Sequence, residues 1–164
     1  MYAFTNEWLD AAARISAEGG KAKDVSDLWR SNAILEQFDT IVLPSDFVDD
    51  MLARLYATDK SSLLRSFSDL GREVVGVLKI VAGSIEELAR LVTDFTFFTP
   101  IKRFEVRKVD EDSDELIVVG AGKKMESTEC CFEFLKAVLN GYGYDISKHE
   151  LYTGTIRVTV NRPT

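Results

Sequence analysis

The sequence predicts an α+β fold, with N-terminal helices followed by an antiparallel hairpin, a further helix and a closing strand. Three observations support this class. Apolar residues recur at helical spacing through the first half of the chain. After Pro100 they alternate with polar residues in two short segments that flank an acidic turn. A helical segment and one more alternating segment complete the chain, and this separation of helices from strands is typical of α+β proteins.

Length and composition predict one domain over residues 1–164. The chain is 46% hydrophobic and 29% charged, which is ordinary for a globular protein. Within it we expect a helical N-terminal extension over 1–40 and a core over 41–164. No apolar run approaches the roughly 18 residues that a membrane-spanning helix needs, and the N-terminus lacks the features of a signal peptide. We therefore expect a cytoplasmic protein.

The formal charge of −7 disfavours nucleic acid as a partner. Proteins that bind nucleic acids usually carry a basic stripe that neutralises phosphates. Here the densest basic group lies beside the acidic run 110–114 and consists of Lys102, Arg103, Arg107 and Lys108. Such an acidic balance mostly serves solubility.

The first predicted helices are uneven in pattern. One has an apolar face and ends at Gly19-Gly20, and that face consists of Trp8, Leu9, Ala12 and Ile15. A second helix is predicted over 24–38, although its apolar residues do not follow a regular helical spacing. Ser45 is the expected N-cap of a third, whose apolar face consists of Phe47, Val48, Met51, Leu52 and Leu55.

The longest predicted helix covers about 61–82. Its apolar residues follow steps of four and three, the pattern of a helix packed along another helix, and are Leu63, Phe67, Leu70, Val74, Val77 and Val81. Gly71 and Gly76 interrupt it. Because glycine costs about 1 kcal/mol against alanine inside a helix, both suggest a closely approaching backbone. Ser84 and Glu87 form a capping box for the next helix.

The second half contains the predicted strands and one helix. A hairpin is expected over 101–119, where Phe104 and Val106 alternate with charged residues. A helix over 126–139 ends at Asn140-Gly141, and its inward residues are Cys131, Phe134, Leu135 and Val138. The residues that mark the closing strand are Ile156, Val158 and Val160.

A glycine-containing turn before the last helix superficially suggests a phosphate-binding loop. A Walker A loop needs four residues between its glycines and a hydroxyl residue after the lysine. Here one residue separates Gly120 from Gly122, and Lys123 is followed by Lys124. A dinucleotide-binding fingerprint would need a glycine in place of Met125. We interpret the segment as a strand end followed by a glycine turn.

The chain contains one histidine and two adjacent cysteines. Structural zinc usually takes four such ligands at spaced positions, so we predict no metal site. His149 lies in a polar stretch and is interpreted as a surface residue; nothing in the sequence supports haem ligation by it. We expect Cys131 to be buried and Cys130 to be exposed or at the boundary. Asp49 and Asp50 are interpreted as a solvated helix face, and we predict no catalytic residue and no cofactor.

Aromatic residues cluster at the predicted helix–strand junctions of the second half. Small-molecule pockets are mostly apolar with a few polar groups. The candidate ligand-binding residues are therefore Phe95, Phe97, Phe98, Cys131, Phe134 and Tyr142. The alternative for each of them is simple packing in the core.

Several features occur together over about 41–160. They are the extended segment 41–44 before a helix, the glycine-bearing helical segment 70–76, the strand pair around an acidic turn, and the helix that ends in 140–144. In this order they resemble the 4-vinyl reductase-like domain family, over roughly three-quarters of the chain.

The resemblance implies an α/β sandwich fold shared with a vesicle-trafficking-complex subunit family and with haem-based nitric oxide sensor relatives. It also implies small-molecule binding and frequent dimerisation. Many members of the family hold zinc through cysteines around the final strand. Residues 151–158 contain no cysteine, so we carry over no metal ligand.

These observations leave three functions open. The leading one is a sensory or binding domain for an apolar small molecule, without catalysis of its own. The alternative is a homodimeric interaction or scaffold protein that uses a helix face, as the seam from Leu63 to Val81 and the residues Trp8 and Trp29 suggest. The third is an enzyme of unknown reaction, since the family name records a vinyl reductase role that no residue here supports independently.

Overall fold

The computed structural model describes residues 2–21, 25, 29, 43–94 and 100–162. The chain divides into two compact units, Met1–Val42 and Leu43–Thr164. In chain order the helices and strands are α1 (Tyr2–Ala17), α2 (Ser45–Val81), α3 (Ile85–Asp94), β1 (Arg103–Lys108), β2 (Ser113–Ala121), α4 (Met125–Gly141), β3 (Asp145–Tyr152) and β4 (Gly154–Asn161). The α+β class is thus confirmed. Among the described helices, none has both the length and the apolar character that a membrane span requires.

In the first unit, α1 ends where the sequence predicts. The amide of Gly20 donates to the carbonyl of Ile15 at 2.9 Å, and Gly19 has a φ of +86°. Glycine adopts this left-handed conformation without strain and commonly ends helices in this way. The helix predicted over 24–38 falls mainly outside the described residues.

The second unit is built on a four-stranded antiparallel sheet in the order β1-β2-β4-β3. The predicted hairpin is confirmed, with Phe104 of β1 opposite Val118 of β2. The predicted closing strand corresponds to β4, and its Val158 lies opposite Leu116 of β2. All four side chains are buried, so the two central strands and β1 contribute to one apolar face.

β3 is not among the predicted strands, because the polar stretch 147–150 has the composition of exposed chain. β3 is an edge strand that pairs with β4, and a bulge between Ile146 and Lys148 shifts its register. Most of its side chains are exposed. An edge strand of this kind shows little of the apolar alternation by which a half-buried strand is recognised.

α4 packs its apolar side onto the inner face of the sheet. Leu135, Val138 and Leu139 are buried there with Ile156 and Val158. Each such burial stabilises the fold by about 1.5–3 kcal/mol. The space between α4 and the sheet is therefore occupied by side chains of the protein itself.

Two predicted helices form the single long helix α2, which is kinked at Asp59. The N-cap of α2 is Pro44, and the expected N-cap Ser45 is its first helical residue. Asp59 leaves the helical conformation with φ −152° and ψ 83°. Its carboxylate accepts the amide of Ser62 at 3.0 Å, so Asp59 acts as the N-cap of the second half of the helix.

Gly71 allows α2 to pack closely on α4. A Cβ at this position would lie 2.6 Å from the carbonyl oxygen of Phe134 and 2.8 Å from the Cβ of Ala137. The predicted approach of a neighbouring backbone is therefore confirmed at Gly71. It is wrong at Gly76, which is exposed and where a Cβ would meet nothing within 4 Å.

The predicted seam of α2 is correct only in part, since Val74 packs on the core but most of the contacts with α4 involve other residues. Gly71 and Val75 pack closely against α4, and Leu78 packs on the core. Leu70 and Val81 of the predicted seam are instead exposed. The two sets differ by one position, which is a turn of about 100° around a helix. Both sets follow the four–three spacing, so the pattern could not distinguish the side that packs on α4.

The predicted capping box of α3 is present in part. The Oγ of Ser84 accepts the amide of Glu87 at 3.2 Å, as predicted. The Glu87 carboxylate accepts the amide of Gly83 at 2.8 Å, one residue before the expected donor. α3 then packs beside β1 and buries Ile85 and Leu88.

Candidate functional site

A cleft of about 460 Å³ lies between α3 and β1. Its lining residues are Glu86, Ala89, Arg90, Thr93, Phe104 and Val106. Ala89 and Phe104 are buried and provide apolar surface, whereas Glu86 and Arg90 are exposed and charged. Apolar walls with a few polar groups are typical of sites that bind small molecules.

Three of the six candidate ligand-binding residues lie outside the described residues, namely Phe95, Phe97 and Phe98. They belong to the segment 95–99, which connects α3 to β1 in the sequence, and α3 and β1 are the two elements that form the cleft. The other three are half-buried against the core along α4 and at its C-terminal end: Cys131, Phe134 and Tyr142. None of these three lines the cleft.

Tyr142 joins the end of α4 to the turn that follows α2. Its hydroxyl donates to the carbonyl oxygen of Ala82 at 2.7 Å. The ammonium of Lys79 lies 5.6 Å from the centre of its ring, within the range of a cation–π contact. Burial raises the pKa of the hydroxyl. These contacts give Tyr142 a role in packing helices together.

The thiols differ from the prediction in their burial. Cys130 is fully buried and Cys131 half-buried, so the expected exposure of Cys130 is wrong. The reason is that α4 is packed on two sides, against the sheet and against α2. Burial raises the pKa of Cys130 to about 12 and that of Cys131 to about 11. Both thiols stay protonated at neutral pH, whereas nucleophilic attack and metal binding need the thiolate.

A carboxylate from α2 occupies the turn that precedes α4. Asp49 is only 4% exposed, and its Oδ2 accepts the backbone amide of Lys123 at 3.0 Å. The interpretation of Asp49 as a solvated residue is therefore wrong. Amides before a helix N-terminus are the groups that hold phosphate in phosphate-binding loops. Here the protein supplies its own anion to one of them, which agrees with the rejection of such a loop.

Two ion pairs flank this contact. Lys123 Nζ lies 2.5 Å from Asp46, and Lys124 Nζ lies 2.7 Å from Asp50. Hydrogen bonds to these carboxylates raise the pKa of both lysines, and the bond from Lys124 lowers the pKa of Asp50. Exposed pairs of this kind stabilise a fold only weakly. Asp49, as the buried member, makes the main contact between the start of α2 and the turn.

The two neighbouring hydroxyl residues of α4 differ in their hydrogen bonding. Thr128 Oγ1 donates to the carbonyl of Lys124 at 3.0 Å and accepts the amide of Gly154 at 2.8 Å. Ser127 Oγ is buried and has no hydrogen-bond partner among the described residues. A Cβ at Gly122 would lie 2.4 Å from the Cβ of Ser127, so the turn passes directly over this residue.

His149 lies on β3 and is exposed, as the sequence predicts. Its ring stacks on Phe132 of α4, with ring centres 4.7 Å apart. Haem iron in proteins is held by histidine, thiolate, methionine or tyrosine. No residue of these types lines the cleft between α3 and β1, and the pKa of both thiols is raised. The cleft between α3 and β1 therefore offers no axial ligand for haem iron. Among the described residues, no three His, Cys, Asp or Glu side chains gather as a metal site.

A partly buried ion pair between Asp114 and Arg162 was also not predicted from the sequence. Asp114 is 1% exposed and accepts two hydrogen bonds from Arg162, at 2.8 and 2.6 Å. This bidentate geometry is among the stronger forms of ion pair. The pairing of Ser113 with Asn161 across the sheet brings the two residues together. Without the strand register, Asp114 looks like part of an acidic turn.

A polar cluster joins α2 to α4 beside the kink. Tyr56 donates to the carboxylate of Glu129 at 2.6 Å, and Lys60 Nζ lies 2.8 Å from the same oxygen. Burial and the hydrogen bond to Glu129 raise the pKa of Tyr56. Burial opposes ionisation of Glu129, but the hydrogen bonds from Lys60 and Tyr56 outweigh it and lower its pKa. The cluster thus holds an ionised carboxylate between the helices.

α2 also carries apolar side chains that do not pack on α4. The exposed α2 stripe, as we name it, consists of Phe47, Met51, Leu55, Leu70, Ile80 and Val81. Ile80 is 84% exposed and Phe47 57%. The half-buried Leu63 and Val77 continue the stripe between these residues. Large apolar patches are uncommon on monomeric proteins and often mark interaction sites.

Comparison with known proteins finds likenesses only among solved structures. No family model matches the chain, and no curated protein matches it. Among solved structures, a mutant of an Fe(II) unliganded H-NOX protein from K. algicida shares 13% identity with a TM-score of 0.49, over 76% of each chain. A variant Tt H-NOX shares 16% identity with a TM-score of 0.47, over 87% of this chain and 92% of that one. An oxygen-binding H-NOX domain related to soluble guanylate cyclases shares 15% identity with a TM-score of 0.43, over 73% and 71% of the two chains.

These structural neighbours are thus H-NOX domains of low identity. The resemblance to the 4-vinyl reductase-like family is matched by no family model and stays a prediction.

Proposed function

We propose that the chain is a small-molecule-binding module without catalysis of its own, and that the cleft between α3 and β1 receives the ligand. The observation that supports the proposal is the composition of this cleft. Its volume of about 460 Å³ falls within the ~300–1,000 Å³ of typical small-molecule sites. Its buried part is apolar, and its exposed residues carry one charge of each sign.

The lining residues define the class of ligand. An apolar body would pack on Ala89, Phe104 and Val106. A charged head group would be recognised by Arg90 if it is an anion, or by Glu86 if it is a cation. The ligand is therefore a small amphipathic molecule with one ionised group.

The aromatic residues of the connecting segment extend this proposal. Phe95, Phe97 and Phe98 follow α3 directly in the sequence. They remain the predicted additional contacts of the ligand. Cys131, Phe134 and Tyr142 are half-buried against the core and are assigned a lesser part.

The test uses two probes that differ only in head group, decanoate and decylamine. Saturation at a hundredfold excess over the dissociation constant stabilises a protein by about 2.7 kcal/mol. We expect at least one probe to raise the melting temperature and to bind with one-to-one stoichiometry in calorimetry. If neither probe changes the stability of the protein, the proposal is wrong for this ligand class.

A matched pair of variants localises the site. Thr93 and Thr58 are both exposed helical threonines whose Oγ1 donates to the carbonyl four residues before, at 2.8 and 3.0 Å. Thr93 lines the cleft and Thr58 does not. We expect Thr93→Trp to abolish probe binding by filling the cleft, and Thr58→Trp to leave it unchanged. Equal binding by both variants would exclude the cleft as the site.

A second candidate function is self-association through α2. The exposed α2 stripe supports it, because burial of these side chains between two copies removes apolar surface from water. Sedimentation velocity over a range of concentrations is the direct test. A monomer at all concentrations would exclude this function.

A further inference from the structure

We infer that α2 pairs with α2 of a second copy of this chain in antiparallel orientation, centred near Leu63. This inference rests on the self-association proposed above. It specifies which helix of the second copy is contacted, the relative direction of the two helices and the residues that lie opposite each other.

The spacing of the apolar residues indicates that the partner that covers the stripe is a helix. From Leu63 to Val81 they follow steps of four and three, the pattern of helices that pack side by side. Apart from Val74, which packs on the core, this row lies about 100° around α2 from the row that packs on α4, since the two differ by one position. α4 and a second helix can therefore contact α2 at the same time.

The dimensions of α2 suit a pair of identical helices. With 37 residues at 1.5 Å rise, the helix is about 55 Å long. The stripe begins at Phe47 and ends at Val81, so it covers most of this length. A second copy also presents the same stripe, as a two-fold symmetric interface requires.

The charges beside the stripe select the antiparallel direction. Arg54 and Glu73 are both exposed, and among the described residues neither has an ion-pair partner within 4 Å, although Arg54 helps to lower the pKa of Asp50 one turn away. They lie at nearly equal distances along the chain from Leu63, on opposite sides of it. An antiparallel pair centred there places Arg54 of each copy opposite Glu73 of the other. A parallel pair would place each charge beside its own copy, which is unfavourable.

The same register also matches the apolar residues. Phe47 and Ile80, near the two ends of the stripe, are nearly equidistant from Leu63. Each is therefore opposite the other across the antiparallel pair. Phe47 and Arg54 lie in the segment of α2 before the kink at Asp59, and Glu73 and Ile80 lie in the segment after it. The antiparallel pair therefore brings the first segment of each copy against the second segment of the other.

The orientation is tested by disulfide trapping of the full chain under mild oxidation. In the antiparallel pair, Phe47→Cys mixed with Ile80→Cys gives a cross-linked dimer, whereas either variant alone gives none. In a parallel pair each variant would cross-link with itself, which would overturn the orientation. The unsubstituted chain serves as the blank, since Cys130 is buried and Cys131 half-buried.

The charge contacts are tested by sedimentation of charge-reversed variants. Arg54→Glu and Glu73→Arg should each raise the dissociation constant of the dimer about tenfold, because two symmetry-related contacts become repulsive. The double variant should return to within about threefold of the original. A dimer that responds to neither charge reversal nor disulfide trapping would overturn the α2 pairing while self-association stands. A monomeric chain would overturn both.

Discussion

The carboxylate of Asp49 accepts the backbone amide hydrogen of Lys123 at 3.0 Å, although 74 residues separate them in the sequence. The contact joins the first turns of α2 to the turn that leads into α4. Asp49 is buried, so its hydrogen bond is shielded from competing water. Asp49 resembles the many surface acids of the sequence, but it attaches α2 to the turn before α4.

Replacement of Asp49 by alanine should destabilise the second unit by about 1–3 kcal/mol, since it leaves a partly buried amide without its acceptor. Urea unfolding followed by circular dichroism measures the change. The matched control is Asp50→Ala in the same turn of the helix, where the carboxylate is exposed and pairs with Lys124. That variant should lose much less stability, because solvent screens an exposed ion pair. Equal losses would show that the burial of Asp49 has no special effect.

The two glycines of α2 should respond to alanine in opposite directions. Gly71→Ala places a methyl group 2.6 Å from the carbonyl oxygen of Phe134, so α2 must move away from α4 at a cost of about 1–3 kcal/mol. Gly76→Ala meets nothing within 4 Å and should stabilise the helix by up to about 1 kcal/mol. Chemical denaturation of both variants beside the parent is the measurement. If Gly71→Ala is as stable as Gly76→Ala, the close packing of the two helices is wrong.

The elements of the fold could be predicted where the pattern is local and strong. The hairpin, α4 and β4 follow from apolar alternation or helical spacing, and the capping residue Ser84 follows from its type and position. What could not be predicted depends on contacts between distant segments. The burial of Asp114 follows from the register of β2 against β4, which one sequence does not contain.

The candidate site was less predictable than the fold, for a physical reason. The burial of Cys130 and Asp49 depends on α2 covering α4, because a helix packed on two sides buries more of its surface than a one-sided pattern indicates. The cleft between α3 and β1 combines residues whose apolar character looks like plain core in the sequence. Phe134 and Tyr142, which were selected for their aromatic type, pack on the core and do not line that cleft.

The neighbouring hydroxyls of α4 provide a third test. Ser127 Oγ is buried without a hydrogen-bond partner among the described residues, so Ser127→Ala should leave stability unchanged or raise it slightly. Thr128→Val keeps the shape but removes the acceptor of the Gly154 amide, and should cost about 1–3 kcal/mol. Thermal and urea unfolding of both variants check this. A clear loss in Ser127→Ala would mean that its hydroxyl has a partner after all.

The burial of Cys130 should make stability fall at alkaline pH. Its pKa is raised from 9.0 to about 12 in the folded protein. Below pH 9 the thiol is protonated in both states, so the contribution of this group is fully present. Between pH 9 and about 12 the unfolded chain loses the proton more readily than the folded protein, so stability falls as pH rises.

Tyrosines also titrate in this range, and the comparison must therefore be between two proteins. We expect the free energy of unfolding of the parent to fall more steeply between pH 9 and 11 than that of Cys130→Ala, as measured by urea denaturation at each pH. Parallel curves for the two proteins would show that the Cys130 thiol ionises equally readily in the folded and unfolded chain.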